Sequence, residues 1–152
     1  MEISDSIACA IASNPEDAKI IRTAREVNDN KPNWVINKVK LVIDKYQRED
    51  PLATEFQIAI YGITFKPNTD DLRESPSYYI AMALDNLYPK SVIVVDPFVT
   101  DDRLQSEGLQ IVDYNYAANN AQVHVMLVDH DTFLNRKKPN GILVDTKGIW
   151  KV

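Results

Sequence analysis

Apolar residues in the first third of the chain recur at Ile20, Ala24 and Val27, and again at Val35, Val39, Val42 and Tyr46. Spacings of three and four put them on one face of a helix. Asn14 can cap that helix, Pro15 suits its first position, and Glu16 and Asp17 favour the positive end of its dipole. Pro32 stands between the two runs and removes a helical hydrogen bond. The apolar phase nevertheless passes through Pro32 unchanged, which predicts one long kinked helix, roughly 45 Å over ~30 residues. A helix of that length needs a second surface to pack on, so it reads as a dimerisation helix. The alternative is a hairpin of two helices that turns at the polar cluster Asn28, Asp29, Asn30, Lys31 and Asn33.

Residues 47–55 are polar, contain Pro51, and read as a linker. From there strand and helix patterns alternate. Strands are predicted at 56–63, 91–95, 109–112, 123–128 and 142–144. Ser75-Pro76 is a cap followed by proline and opens a helix that runs to about Leu87. A short helical turn is expected at 101–106. The continuous apolar run at 91–95 suits a strand buried on both faces. Five strands joined by helical connections imply a parallel, doubly wound α/β sheet. Repeats and low-complexity segments are absent from the sequence.

Composition removes several functions. With 152 residues the chain fits one domain with an appended helix. Its net charge of −5 gives no reason to expect nucleic acid or an anionic membrane as partner. The lone Cys9 rules out an internal disulfide and a zinc site of several thiolates. Glycine occurs only at Gly62, Gly108, Gly141 and Gly148, so neither a G-x-G-x-x-G fingerprint nor a P-loop can be written with it. His124 and His130 stand six apart, which removes the H-E-x-x-H zinc motif. No apolar run approaches the ~20 residues of a membrane span. The apolar stretch 7–12 follows Glu2 and Asp5 rather than a basic residue, a poor match to a signal peptide. A cytoplasmic protein is the expectation.

In open α/β sheets ligands lie beyond the carboxyl ends of the strands, near the point where the strand order reverses. That rule selects the stretch 62–75 after the first strand, Asp96 and Pro97 after the second, Asp129, His130 and Asp131 after the fourth, and Thr146, Lys147 and Gly148 after the fifth. Lys66 and Lys147 then flank the switch point. With the amides opening the Ser75 helix they would make an anion site. Phe65 could offer a flat apolar face to a base or sugar. The plainer reading makes both lysines solvated loop charges. Asp96 is in place to bind a ribose, but without the glycine fingerprint capping of the next turn is its expected role. Asp129, His130 and Asp131 include metal-ligand types, but as neighbours on one strand end they read as a turn or helix cap. His124 reads as a hydrogen-bonded core histidine, and Cys9, between Ala8 and Ala10, as structural.

The string Gly62-Ile63-Thr64-Phe65-Lys66-Pro67-Asn68-Thr69-Asp70-Asp71-Leu72-Arg73-Glu74-Ser75-Pro76 resembles the signature of the UDP-glucose/GDP-mannose dehydrogenase family, at the start of its C-terminal nucleotide-sugar-binding domain. The stretch 23–32 is similar to that family's central helix. Both it and 144–148 are closest in form to the branch acting on UDP-N-acetylmannosamine. The resemblance covers nearly all of residues 14–152. It implies a Rossmann-like parallel sheet with helices on both faces, and a central helix that forms the dimer interface. It also implies that Phe65, Lys66 and Lys147 contact the UDP-sugar and that Arg73 belongs to the contacts with the cofactor, NAD. Some branches have arginine where Lys147 stands, a planar fork in place of a point charge.

The chain departs from the family in two respects. Members oxidise a sugar alcohol to a carboxylate in two hydride transfers to NAD, using an N-terminal fingerprint domain and a thiolate preceded by two glycines. Neither is written in this sequence, and Cys9 lacks that context. The expectation is therefore a degraded or irregular 1–13, a dimerisation helix over 14–50 and a UDP-sugar-binding domain over 54–152. Such a chain would have no catalytic residue and no metal, and would be inactive alone. Two other readings stay open: a subunit that completes a split enzyme with a separate NAD-binding chain, and a non-catalytic dimeric scaffold.

Overall fold

The computed structural model describes residues 15–150. The expected cap Asn14, the stretch 1–13 and Cys9 lie outside them. Helix α1 covers Pro15–Glu49 and runs through Pro32 without interruption. The hairpin reading, with its turn at residues 28–33, is thereby corrected. Asparagine and aspartate cost a helix only a few tenths of a kcal/mol each, less than breaking a cooperative helix in two. Within that stretch Asn33 Nδ2 donates to Asn30 Oδ1 at 3.2 Å. The linker also begins later than expected, at Asp50, whose carboxylate accepts the Leu52 amide.

The chain divides into two compact units after Trp34. In the first, Ile20 and Val27 are exposed along the helix. In the second, Val35, Ile36, Val39 and Ile43 are buried in the core of the sheet domain.

That domain holds strands β1 (Ile58–Tyr61), β2 (Val92–Val95), β3 (Gln110–Ile111), β4 (Val123–Met126) and β5 (Ile142–Asp145). All pairs are parallel and the order is β3-β2-β1-β4-β5. The connections carry α2 (Pro76–Leu87), α3 (Asp101–Leu104), a 3-10 turn (Gln105–Glu107), α4 (Tyr114–Asn120) and α5 (Asp131–Leu134). The first four strands are shorter than their apolar runs because the flanking residues turn out of the ladder, while β5 runs one residue further than expected, to Asp145. Phe56, for example, leaves the strand to pack edge-on against Tyr88. Ser75 caps α2 as expected, accepting the Tyr78 amide.

Helices cover both faces. Ile58, Ile60, Val92, Val94, Val123 and Val125 face an aliphatic core shared with α1 and α2. Ala59, Tyr61, Ile93, Val95 and Met126 face a more aromatic core with Tyr114, Phe133 and Trp150. Tyr61 is its centre, with edge contacts to Tyr114, Phe133 and Trp150. His124 is buried on this face, where its Nε2–H donates to the Asn140 carbonyl and its Nδ1 faces the Tyr61 hydroxyl, both at 2.9 Å. It is the core histidine the pattern predicts. Burial lowers its pKa, and burial raises that of Tyr61. Among the described residues no helix is long and apolar enough to cross a membrane.

Candidate functional site

Strand β1 lies at the centre of the sheet. The chain leaves it toward β2 and β3, then crosses back to add β4 and β5 on the other side. The switch point is therefore the carboxyl edge between β1 and β4, and the loops there are 62–75 and 127–130.

Gly62 opens the first loop at φ +81°, a left-handed conformation that suits glycine. A Cβ there would lie 2.5 Å from Val128 Cβ and 2.7 Å from the Val128 carbonyl oxygen, so the two loops touch backbone to backbone. Beyond Gly62 the loop closes on itself. The Phe65 amide donates to the Asp71 carbonyl, and the Thr64 and Thr69 hydroxyls both donate to the Lys66 carbonyl. Asn68, at φ +60°, ties the loop to its neighbour. Its amide donates to His130 Nδ1 at 2.9 Å and its Oδ1 accepts the Asp131 amide at 3.0 Å.

This scaffold leaves Phe65 55% exposed and Lys66 exposed as well. Lys147 follows β5, with Nζ 3.9 Å from Asp129 Oδ1 on the β4 loop. Phe65, Lys66 and Lys147 thus stand on one edge of the sheet, with the β4 loop between the two lysine-bearing segments. Arg73 shares the loop of Phe65 and Lys66 but forks onto Asp71, with Nε and Nη2 at 3.0 and 3.1 Å from its two carboxylate oxygens. The Arg73 guanidinium holds the Asp71 carboxyl down at about 2. The first turn of α2 is partly closed by its own cap. Pro76 has no N–H, and the Tyr78 amide is taken by Ser75 Oγ, which itself donates to the Ile63 carbonyl at 2.7 Å.

Asp96 does what was expected of it and more. Its Oδ1 accepts the Phe98 amide at 3.0 Å, the expected cap of the turn. Its Oδ2 accepts the Ile63 amide at 2.9 Å and lies 3.1 Å from His130 Nε2. His130 precedes α5 at the cap position, but its side chain makes no cap bond. Its ring is instead 0% exposed, between the rings of Phe98 and Phe133. Sequence reasoning did not single out Thr64 or Asn68 and gave His130 a different part. The only hint was the αL tolerance of asparagine after Pro67.

Sheet order and loop placement define a doubly wound α/β domain whose ligand edge carries two lysines and an exposed aromatic ring. The chain belongs to the UDP-glucose/GDP-mannose dehydrogenase family, matching its UDP binding domain over residues 59–152. It is 42% identical to a UDP-N-acetyl-D-mannosamine dehydrogenase of Salmonella typhi, over 93% of this chain and 35% of that protein. It is 36% identical to an NDP-N-acetyl-D-galactosaminuronic acid dehydrogenase of Ralstonia solanacearum, over 90% and 31%. Among solved structures, a UDP-N-acetyl-mannosamine dehydrogenase from S. aureus superposes with a TM-score of 0.68 at 31% identity, over 93% of this chain and 32% of that one. The chain spans about a third of the length of these relatives.

Proposed function

We propose that this chain binds the UDP moiety of a nucleotide sugar at the carboxyl edge of its sheet. Phe65 would pack against the base or sugar, and Lys66 and Lys147 would neutralise the diphosphate. The observation that carries the reading is the placement of these three residues on loops at the switch-point edge of a domain that matches a UDP binding domain. Calorimetric titration of UDP into the chain is the test. Saturable binding weakened about tenfold or more in Lys66→Ala is expected, since a charge-assisted contact contributes about 1.5–3 kcal/mol. Absence of binding at millimolar UDP would overturn the reading.

We further propose that the sugar is an N-acetylated hexosamine of the kind named in the relatives, and that Arg73 faces NAD, the hydride acceptor that the family resemblance implies. The described residues do not make a cofactor site by themselves. Arg73 is held by Asp71, and no two glycines have G-x-G spacing. This chain alone is therefore proposed to be inactive. Turnover of UDP-N-acetylmannosamine with NADH formation by the pure chain would refute that.

Helix α1 is proposed as the dimer contact. Ile20 and Val27 lie two turns apart on one face, and Val27 is 69% exposed. Beside it Ala24, Lys31 and Trp34 line a groove of about 550 Å³. Sedimentation of Val27→Glu should show dissociation to monomer, and an unchanged mass in variant and parent would sink the idea.

A further inference from the structure

We propose that His130, seated by Asp96, is the positioning residue of the 62–75 loop and sets the presentation of Phe65 and Lys66. The inference rests on the reading of those two residues as UDP contacts. Its basis is a polar pair where packing alone would not call for one. Asp96 is 5% exposed and His130 0%. Burying such groups is costly unless every polar atom is satisfied, and an apolar pair of the same size would often be as stable.

Here the polar atoms are satisfied, and they point at one loop. His130 Nδ1 accepts the Asn68 amide, so it holds no proton; the ring hydrogen is on Nε2, 3.1 Å from Asp96 Oδ2. The same Asp96 oxygen accepts the amide of Ile63, at the loop's entry. Thr64 Oγ1, which donates to the Lys66 carbonyl, lies 3.4 Å from His130 Nε2. The tip of the loop is Lys66-Pro67-Asn68, with the φ of Pro67 fixed by its ring. One end of that tip is held through Thr64 and the other directly by Nδ1. The rings of Phe98 and Phe133, with centroids 5.1 and 5.4 Å away, limit rotation of the imidazole.

Two substitutions divide the histidine into its halves. In His130→Asn the amide oxygen stands near the former Nδ1 and can still accept the Asn68 N–H. In His130→Gln the amide nitrogen stands near the former Nε2 and keeps the bond to Asp96, but nothing remains to meet Asn68. Each is measured in the full 152-residue chain. The readouts are thermal melting, hydrogen exchange of the Asn68 amide, and UDP affinity. Both variants should melt lower than the parent. The Asn variant should keep the Asn68 amide protected and bind UDP within about twofold of the parent. The Gln variant should lose that protection and bind about tenfold more weakly, the size of one hydrogen bond.

Exchange and affinity that follow melting temperature in both variants, or that change in neither, would overturn the proposal. A parent chain that binds no UDP while Asn68 protection still separates the two variants would instead overturn the proposed function and support the hold on the loop.

Discussion

Lys66 and Lys147 leave the same edge of the sheet on segments built by different means. The loop of Lys66 is held from far along the chain: by Asp96 at Ile63, by His130 and Asp131 at Asn68, and by the close approach of Val128 to Gly62. The segment of Lys147 is held mainly by its own neighbour. Asp145 Oδ1 accepts the amides of Lys147 and Gly148, and Oδ2 accepts that of Trp150. Toward β4, Thr146 reaches the Met126 carbonyl, and Lys147 Nζ lies 3.9 Å from Asp129 Oδ1. The first loop therefore depends on the assembled sheet, whereas the second is chiefly a local turn around Asp145. A change remote in sequence can displace Lys66, while Lys147 responds to changes beside it.

Alanine in place of glycine tests this contrast most severely. Both Gly62 and Gly148 have positive φ, but a Cβ at Gly148 would meet nothing within 4 Å. Gly148→Ala should cost only the left-handed strain, about 1 kcal/mol. Gly62→Ala adds a clash with the backbone of Val128 and should cost about 3 kcal/mol. Urea unfolding of the two variants measures the difference, and equal losses would erase the distinction between the loops.

Asp145→Ala comes next in size. It leaves three amides without their acceptor and should cost about 2 kcal/mol. Hydrogen exchange should show the loss at Lys147, Gly148 and Trp150, with the Asn68 amide unchanged. A change at Asn68 would mean that the two segments are coupled after all.

The smallest effect lies at the exposed end of the first loop. Asp71 has its folded pKa depressed, so any stability from its fork with Arg73 is present above the ordinary carboxylate range. It is lost as pH falls through about 2. Arg73 is 87% exposed, so this is a test of geometry more than of stability. The Asp71 carboxyl resonance should titrate near pH 2 in the parent and return toward the ordinary value of about 3.9 in Arg73→Ala. A midpoint unchanged by the substitution would show that the fork does not form in solution.

What was legible in the sequence is what residues a few positions apart decide among themselves. The helix Pro76–Leu87 was found from Ser75 and Pro76 alone, because a cap bond and a fixed φ act within one turn. The cores of the five strands were legible as apolar runs, and α1 as a continued spacing of three and four. The short helices Tyr114–Asn120 and Asp131–Leu134 were not assigned, because each is too brief to show a period. In the site, Phe65, Lys66, Arg73 and Lys147 were reached by their place after strands and by a recognisable motif.

Only the tertiary structure decided the rest. Asp96 and His130 lie 34 residues apart and His130 and Asn68 62 apart in the hydrogen-bond ladder of this edge. They meet because β2, β1 and β4 are adjacent in the sheet. Local preference read Asp96 as a cap, and Asp96 is one. It read His130 as part of a turn or helix cap, and His130 does stand at the cap position before α5, but its ring is closed into the interior. Strand order is set by the packing of whole faces, and a side chain's second hydrogen bond depends on which strand ends stand beside it. The sequence by itself determined the longer elements and the loops that could hold a ligand; the order of the sheet determined which buried groups hold one of those loops in shape.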